Sequence, residues 1–164
     1  MNTKHPLGRS VEVRSGGITG IIGSFGMTRV RPNGKRKMHK GIDYLCEVMD
    51  PVYAAHDGTI SRDGFERDRG GKEHNDGYGR RIALVGPDGL ETRYAHLTLE
   101  VYKRTMRVRR GDLIGFAGRT GNVGPNTPTH LHFEVRIDGE PVNPDWWLTG
   151  EGQRDGISEH STEV

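Results

Sequence analysis

Polar and apolar side chains alternate through residues 130–137, and this is the clearest pattern in the chain. The apolar positions are Leu131, Phe133, Val135 and Ile137. Strict alternation is typical of a β-strand with one buried face, because successive side chains point to opposite sides of a strand. His130 and His132 therefore share one face, about 6.6 Å apart. The segment is predicted to be a strand that presents two imidazoles side by side.

Alternation of the same kind predicts strands elsewhere. Residues 80–85 and 91–96 flank the turn sequence Gly86-Pro87-Asp88-Gly89, which indicates a hairpin. Residues 51–60 are expected to form a strand pair that turns at Asp57-Gly58, and residues 108–115 a turn between strands. One helical turn is expected within residues 97–106. The sequence thus predicts an all-β fold, mainly antiparallel sheet, with little helix.

Three segments lack this periodicity. Residues 61–77 are almost all charged or glycine, which is typical of a long exposed loop. Residues 1–17 are polar and are interpreted as an N-terminal leader segment, and residues 149–164 as a polar, disordered tail. The remaining residues, 18–148, have the length of one domain.

Composition agrees with short strands joined by many turns, since only 32% of the 164 residues are hydrophobic and 25 are glycine. The net charge of +2 arises from 24 basic and 22 acidic residues, a balance that does not favour a nucleic-acid partner. Basic residues nevertheless cluster within 29–40 and 103–110, which is compatible with an anionic polymer as partner. The single Cys46 excludes an internal disulfide and is expected to be a small core residue.

Candidate chemistry comes from a second motif, His39-Lys40-Gly41-Ile42-Asp43, which adds an imidazole and a carboxylate to the paired histidines. Two histidines, one carboxylate and an open fourth position form the usual ligand set of catalytic zinc. A further histidine, His96, ends the predicted strand 91–96. Either motif alone is a weak signal, but together they indicate a hydrolytic metal site.

These motifs, in this order, resemble the lysostaphin/LytM-type zinc metallopeptidases, which cleave peptide bonds in bacterial peptidoglycan. The resemblance extends over residues 18–148 and implies a compact β-sandwich or half-barrel with long loops that line a groove. Its principal motifs are Gly23-Ser24-Phe25-Gly26, His39-Lys40-Gly41-Ile42-Asp43, Gly77-Tyr78-Gly79, Tyr94-Ala95-His96-Leu97, Gly111-Asp112-Leu113-Ile114-Gly115, His130-Leu131-His132-Phe133-Glu134 and Pro141-Val142-Asn143-Pro144.

The resemblance also implies a role for each site residue. His39, Asp43 and His132 are the expected ligands of one Zn²⁺ per chain. His130 is the expected general base, and His96 the expected hydrogen-bond donor to the oxyanion of the tetrahedral intermediate. Glu134 is a rival general base by analogy with other zinc peptidases. The turn at residues 121–129 departs from the family's short Ser-Thr-Gly-Pro-type turn, which affects the expected shape of the groove.

The implied activity is hydrolysis of peptidoglycan crosslinks, with the D-alanyl-diaminopimelate bond favoured over a glycine bridge, by a monomer acting in the periplasm or cell wall. No stretch reaches the ~18 apolar residues of a membrane span, and the first residues lack the apolar core of a signal peptide. Membrane insertion is therefore not expected. Release through a phage-made membrane lesion, or carriage on a virion, is the expected route to the wall.

Two alternatives remain from the sequence. One is a non-catalytic member of the same fold that binds peptidoglycan or activates another hydrolase, although such members typically lose metal ligands that this chain retains. The other is a lipoyl or biotinyl carrier domain, because residues 52–58 and 110–114 resemble half-motifs of those domains. Such carriers need a modifiable lysine at a hairpin tip, and no lysine stands at a suitable position between these segments.

Overall fold

The computed structural model describes residues 4–67, 73–74 and 77–150. These residues form thirteen strands and one short helix. In chain order the elements are β1 (Gly26–Val30), β2 (Arg36–His39), β3 (Ile42–Leu45), β4 (Pro51–Tyr53), β5 (Gly58–Arg67), β6 (Glu73–His74), β7 (Arg80–Val85), β8 (Leu90–Ala95), β9 (Leu97–Glu100), β10 (Arg107–Val108), β11 (Leu113–Ala117), β12 (His130–Ile137), β13 (Glu140–Val142) and α1 (Pro144–Thr149). Neighbouring strands pair antiparallel, so the predicted all-β antiparallel fold with little helix is confirmed.

An eight-stranded sheet, curved as a half-barrel, contains eight of the thirteen strands, and β12 pairs with three of them. One edge of β12 pairs with β8, and the other edge pairs with β3 and then with β13. His132 stands directly between Asp43 on β3 and Ala95 on β8. The register of β12 therefore brings together the predicted strand and the upstream motif that ends at Asp43.

The hydrophobic core lies on one face of this sheet. Its β12 residues, Leu131, Phe133 and Val135, are fully buried, as the alternating pattern predicts. A three-stranded sheet in the order β4-β11-β9 contributes Val52, Ile114 and Leu97 to the same cluster. The two sheets thus enclose one core, and the opposite face of β12 is left to carry its polar side chains.

The segment interpreted as a leader packs along β3 in the part that is described. Val13 forms a bridge with Tyr44, and Leu45 N–H donates a hydrogen bond to the Glu12 carbonyl. Leu7 is buried in the core. The boundaries 1–17, 18–148 and 149–164 stay a prediction, and residues 1–3 and 151–164 lie outside the described residues.

Two sequence-based expectations of local structure are wrong. Residues 97–100 form β9 rather than a helical turn, because pairing with β11 fixes them as strand. Residues 61–67, expected in a loop, continue β5, while 68–72 and 75–76 of that expected loop lie outside the described residues. The helix is instead at residues 144–149, where the Asn143 side chain accepts a hydrogen bond from Asp145 N–H and Pro144 begins the first turn.

No helix in the described part of the chain has the length and apolar character needed to cross a membrane.

Candidate metal centre and its groove

The three predicted ligands come from three different strands. His39 ends β2, Asp43 lies in β3, and His132 lies opposite Asp43 in β12. The segment that joins His39 to Asp43 passes close to β12 at Gly41. A Cβ atom there would collide with the Phe133 carbonyl oxygen and lie 3.0 Å from His132 Cε1. Glycine is therefore required in the middle of this motif, since any side chain would push the His39 end away from His132.

The ligand atoms of these residues converge. His132 Nδ1 lies 2.8 Å from Asp43 Oδ1 and 3.1 Å from His39 Nε2, and His39 Nε2 lies 3.2 Å from Asp43 Oδ1. All three residues are buried, and within the described residues they form the one group of three or more such side chains that could hold a metal ion. Two imidazole nitrogens and one carboxylate oxygen match the donors of catalytic zinc sites. The predicted metal site is confirmed.

The outer ring nitrogens of both ligand histidines are tied by hydrogen bonds. His39 Nδ1 donates to the Ser24 carbonyl at 2.9 Å, and His132 Nε2 donates to Glu134 Oε1 at 3.1 Å. Because a carbonyl and a carboxylate can only accept, these bonds place the protons on the outer nitrogens and leave the inner nitrogens for the metal. The rings are thus oriented by the protein itself.

Asp43 is held ionised. Burial opposes the charge, but the close contacts with His132 and His39 lower the pKa of Asp43 well below the ordinary range. Two guanidinium groups add to this: Arg29 Nη2 lies 2.9 Å and Arg14 Nη2 lies 3.1 Å from Asp43 Oδ2. The cations bind Oδ2, so Oδ1 is the oxygen that faces the two histidines.

Glu134 lies behind His132, away from the inner nitrogens. Its side chain is 1% exposed and accepts hydrogen bonds from Tyr78 Oη at 2.6 Å and from Arg136 at 2.8 and 2.9 Å, besides the bond from His132. Burial disfavours its charge, yet the bond from His132 and its other partners lower the pKa of Glu134 to about 2. This arrangement suits a carboxylate that orients a metal ligand and does not suit the rival role as general base.

The two remaining candidates, His96 and His130, lie beside the metal ligands, with ring centroids 5.0 Å apart. His130 Nδ1 donates to the Pro128 carbonyl, and His96 Nδ1 donates to the Thr120 carbonyl, both at 2.8 Å. Each neutral ring therefore presents Nε2 as an acceptor. All five predicted site residues are brought together; both of these rings line the groove that contains His39 and His132.

Burial lowers the pKa of both histidines, and more for His96, whose pKa falls to about 3. For His96 the neighbouring His130 and His132 rings add to the effect of burial. For His130 the Asp43 carboxylate, with Oδ2 3.8 Å from His130 Nε2, partly opposes it. His130 is thus the better proton acceptor of the pair.

His96 occupies a strained backbone position between β8 and β9, with φ of 63°. Left-handed conformations are uncommon outside glycine and cost about 1–3 kcal/mol where they persist. His96 N–H donates to the Tyr78 carbonyl at 2.9 Å. The Gly77-Tyr78-Gly79 motif therefore fixes His96 through its backbone and Glu134 through the Tyr78 hydroxyl, which the sequence alone did not indicate.

Sequence reasoning also missed Arg14 and Arg29 as parts of this site. Arg29 belongs to the basic cluster within residues 29–40. Its Nη2 lies 2.9 Å from His39 Nε2 and also contacts Asp43. Arg14 lies in the segment interpreted as a leader, and it reaches Asp43 because the backbones of residues 14 and 43 are hydrogen-bonded at 2.9 Å. No local pattern could have signalled a contact made by chain packing.

Among the described side chains, the other histidines and the cysteine are not part of the centre. His56 is buried in a separate network, and His5 packs against the Tyr44 ring. Cys46 is half-buried, and burial raises the pKa of its thiol to about 12, which does not suit a nucleophile or a ligand. His74 and His160 lie outside the side chains that the structure describes.

Comparison with known proteins gives the family context. The Peptidase family M23 model matches residues 37–144, a range that contains all five site residues. The DD-carboxypeptidase/endopeptidase Mpg of Neisseria meningitidis is 41% identical over 108 residues, 66% of this chain and 22% of that protein. The peptidoglycan DD-endopeptidase ShyC of Vibrio cholerae is 31% identical over 125 residues, 76% of this chain and 26% of that protein. The chain thus spans about a quarter of the length of these curated relatives.

Solved structures agree with this result. A zinc-containing peptidase from Vibrio cholerae matches 81% of this chain and 35% of its own, with a TM-score of 0.65 and 28% identity. The catalytic domain of lysostaphin from Staphylococcus simulans matches 77% of this chain and 89% of its own, with a TM-score of 0.63 and 29% identity. With this fold, this site and the family match over residues 37–144, the chain belongs to peptidase family M23.

Proposed function

We propose that the protein is a zinc-dependent peptidoglycan endopeptidase that hydrolyses peptide crosslinks, with the D-alanyl-diaminopimelate bond as its target. The observation that carries the proposal is the convergence of His39, Asp43 and His132 beside the paired rings of His96 and His130, in an open groove. The DD-endopeptidase names of the Neisseria and Vibrio relatives support this bond. A relative named glycyl-glycine endopeptidase ALE-1, from Staphylococcus capitis, is 37% identical over 97 residues and supports the competing bond.

His39, Asp43 and His132 would hold the zinc. When bound, zinc polarises the scissile carbonyl and lowers the pKa of water toward neutrality. The protein's part is to keep the ligand atoms in place. Glu134 and the Ser24 carbonyl do so for the two imidazoles, and Arg14 and Arg29 do so for Asp43.

His130 is the proposed general base. Its Nδ1–H is fixed on the Pro128 carbonyl, so Nε2 is free to take a proton from the attacking water and pass it to the leaving amine. The Asp43 carboxylate at 3.8 Å stabilises the protonated ring that forms in between.

His96 is the proposed donor to the oxyanion. Since its Nδ1–H is already used on the Thr120 carbonyl, donation requires a second proton on Nε2. Burial opposes that proton in the free protein, but a negative oxygen developing nearby raises the pKa of the ring. That proton is taken from solvent, and the doubly protonated ring then donates Nε2–H to the oxyanion, which lowers the barrier.

The alternative function is a non-catalytic member of the fold that binds peptidoglycan. Its distinguishing feature would be an incomplete centre, and here all three ligands and both flanking histidines are in place.

The test is hydrolysis of a purified crosslinked muropeptide dimer by protein of measured zinc content. We expect about one zinc per chain, activity that disappears with a chelator and returns with zinc, and His130→Ala protein that keeps zinc but loses about 10²- to 10⁴-fold in rate. Binding of the dimer by zinc-loaded protein without any hydrolysis would replace this proposal with the non-catalytic one.

The proposed setting is the periplasm or cell wall during bacteriophage-driven lysis, with the protein acting as a monomer. Cytoplasmic expression tests the setting: lysis only when a membrane-lesion protein is co-expressed would support it, and lysis without that protein would contradict it. Sedimentation at working concentration tests the oligomeric state: the mass of one chain would support the monomer, and a larger mass would contradict it.

A further inference from the structure

One wall of the groove is the β1–β2 hairpin. Arg29 on β1 stands directly opposite Lys37 on β2, and partners opposite each other across two strands have side chains on the same face. Lys37 and His39 also share that face, about 6.6 Å apart, because they are two residues apart on one strand. All three side chains line the groove, so the hairpin places two cations next to a metal ligand.

This cation pair is unfavourable for the hairpin itself, since like charges directly opposite each other destabilise a strand pair. The Arg29 guanidinium is bound to Asp43, but among the described residues Lys37 has no ion pair and stands exposed. Lys40, also exposed, extends the same wall. A local cost of this kind inside a groove indicates a site selected for an anionic ligand.

The rest of the groove does not offset this charge. Glu66 on β5 is bound by Arg81 at 2.9 Å, and Glu134 is bound by Arg136. Both acidic side chains that line the described groove are thus already paired with arginine. The groove is polarised, with excess positive charge on the hairpin side.

We propose that Lys37, with Lys40 and Arg29 beside it, binds the carboxylate that the substrate carries on the carbon next to the leaving nitrogen. This inference rests on the proposed function and defines its substrate class. In a D-alanyl-diaminopimelate crosslink that carbon bears a free carboxylate, as it does in a terminal D-alanyl-D-alanine. In the interior of a glycine bridge that carbon bears an uncharged amide carbonyl in place of the carboxylate, so the hairpin selects the first class and gains no ion pair from the second.

The experiment compares two synthetic crosslinked dimers that differ only at this carboxylate, which is free in one and a carboxamide in the other. For the zinc-loaded protein we expect kcat/KM to favour the free carboxylate by about tenfold or more, the value of a charge-assisted hydrogen bond. Lys37→Gln should bring the ratio of the two kcat/KM values close to one, and Lys37→Arg should largely retain it. The matched control is Lys35→Gln, an exposed lysine of the same hairpin that does not line the described groove, and it should leave the ratio unchanged.

Equal kcat/KM for the two dimers, or a preference that Lys37→Gln does not reduce, would overturn the carboxylate site and leave the peptidase proposal intact. Cleavage of neither dimer would be a failure of the proposed function. Calorimetric binding of the same dimers then decides the site by itself: tighter binding of the free carboxylate that Lys37→Gln weakens supports it, and equal binding overturns it.

Discussion

The sheet formed by β8 and β12 buries a histidine network on each of its faces. On the core face, His56 Nδ1 donates to the Asp57 carbonyl at 2.8 Å, and Nε2 lies 2.9 Å from Thr92 Oγ1, which in turn bonds Tyr94 Oη. On the groove face, His132 Nε2 donates to Glu134, and Nδ1 meets His39 and Asp43. Both histidines are buried, 3% and 7% exposed.

The two networks differ in the groups that the two ring nitrogens of each histidine contact. His56 has both nitrogens on neutral partners inside the protein, so its network can only stabilise the fold. His132 has a carboxylate on its outer nitrogen and other ligand atoms around its inner one, so its network can hold a cation. Burial and residue type are the same, and the partners decide the role.

Replacement of either histidine should give the largest and most contrasting effects. His132→Ala should abolish zinc binding and hydrolysis, while His56→Ala should keep zinc but destabilise the protein by about 2 kcal/mol or more, because it leaves a cavity and unpaired polar groups. Zinc content and denaturant unfolding measure the two outcomes. Loss of zinc in His56→Ala, with the fold intact, would break the contrast.

Glu134→Gln should come next in size. Removal of the carboxylate behind His132 should weaken zinc binding about 10- to 100-fold, with little loss of fold. The control is Glu100→Gln, another buried glutamate, paired with Arg80 and Lys103 and apart from the histidines. Competition with a chelator gives the affinities; equal zinc affinity in the two variants would show that Glu134 is only a structural ion-pair partner.

The core-face network should make stability depend on pH. Burial lowers the pKa of His56 in the folded protein, so the unfolded chain binds the proton more readily. The contribution of His56 to stability is therefore fully present above its unfolded pKa of about 6.5 and falls as pH drops through that value. The difference in unfolding free energy between wild type and His56→Asn, measured from pH 7.5 to 5.5, should shrink; a constant difference would contradict the account.

Removal of single hydroxyl groups should have the smallest effects. Tyr78→Phe takes one hydrogen bond from Glu134 and should weaken zinc binding by less than about tenfold. Tyr94→Phe takes the acceptor from Ala55 N–H and should cost about 1–3 kcal/mol of stability with no change in zinc affinity. Chelator competition and denaturant unfolding measure the two effects. Weaker zinc binding in Tyr94→Phe, or a loss of stability without weaker zinc binding in Tyr78→Phe, would show that the networks are coupled through the sheet.

Periodicity predicted the centre of the fold because β12 follows it without exception: Leu131, Phe133 and Val135 are in the core, and His130 and His132 share the groove face. The proximity of the five predicted site residues could be anticipated because their motifs are compact and stand in the family's order. Periodicity failed at residues 97–100, where Leu99 is 46% exposed and Glu100 is buried, because strand pairing and an ion pair with Arg80 override the local preference.

The surroundings of the site could not be predicted, because they depend on packing between distant segments. Arg14 joins Asp43 through a backbone contact, and Tyr78 links His96 to Glu134 across three elements. The role of Glu134 needed the structure as well. Sequence pattern places its side chain on the histidine face of β12, but it does not show that the carboxylate binds the outer nitrogen of His132.

The most direct test of zinc-dependent crosslink cleavage is mass spectrometry of the soluble products released from directly crosslinked and glycine-bridged peptidoglycan, by protein that is zinc-loaded, chelated, or chelated and resupplied with zinc. We expect muropeptide monomers with a new D-alanyl carboxyl end and a new diaminopimelate amine, released from the directly crosslinked wall only when zinc is present. Undiminished release after complete removal of zinc, or no release from either wall by the loaded protein, would contradict it.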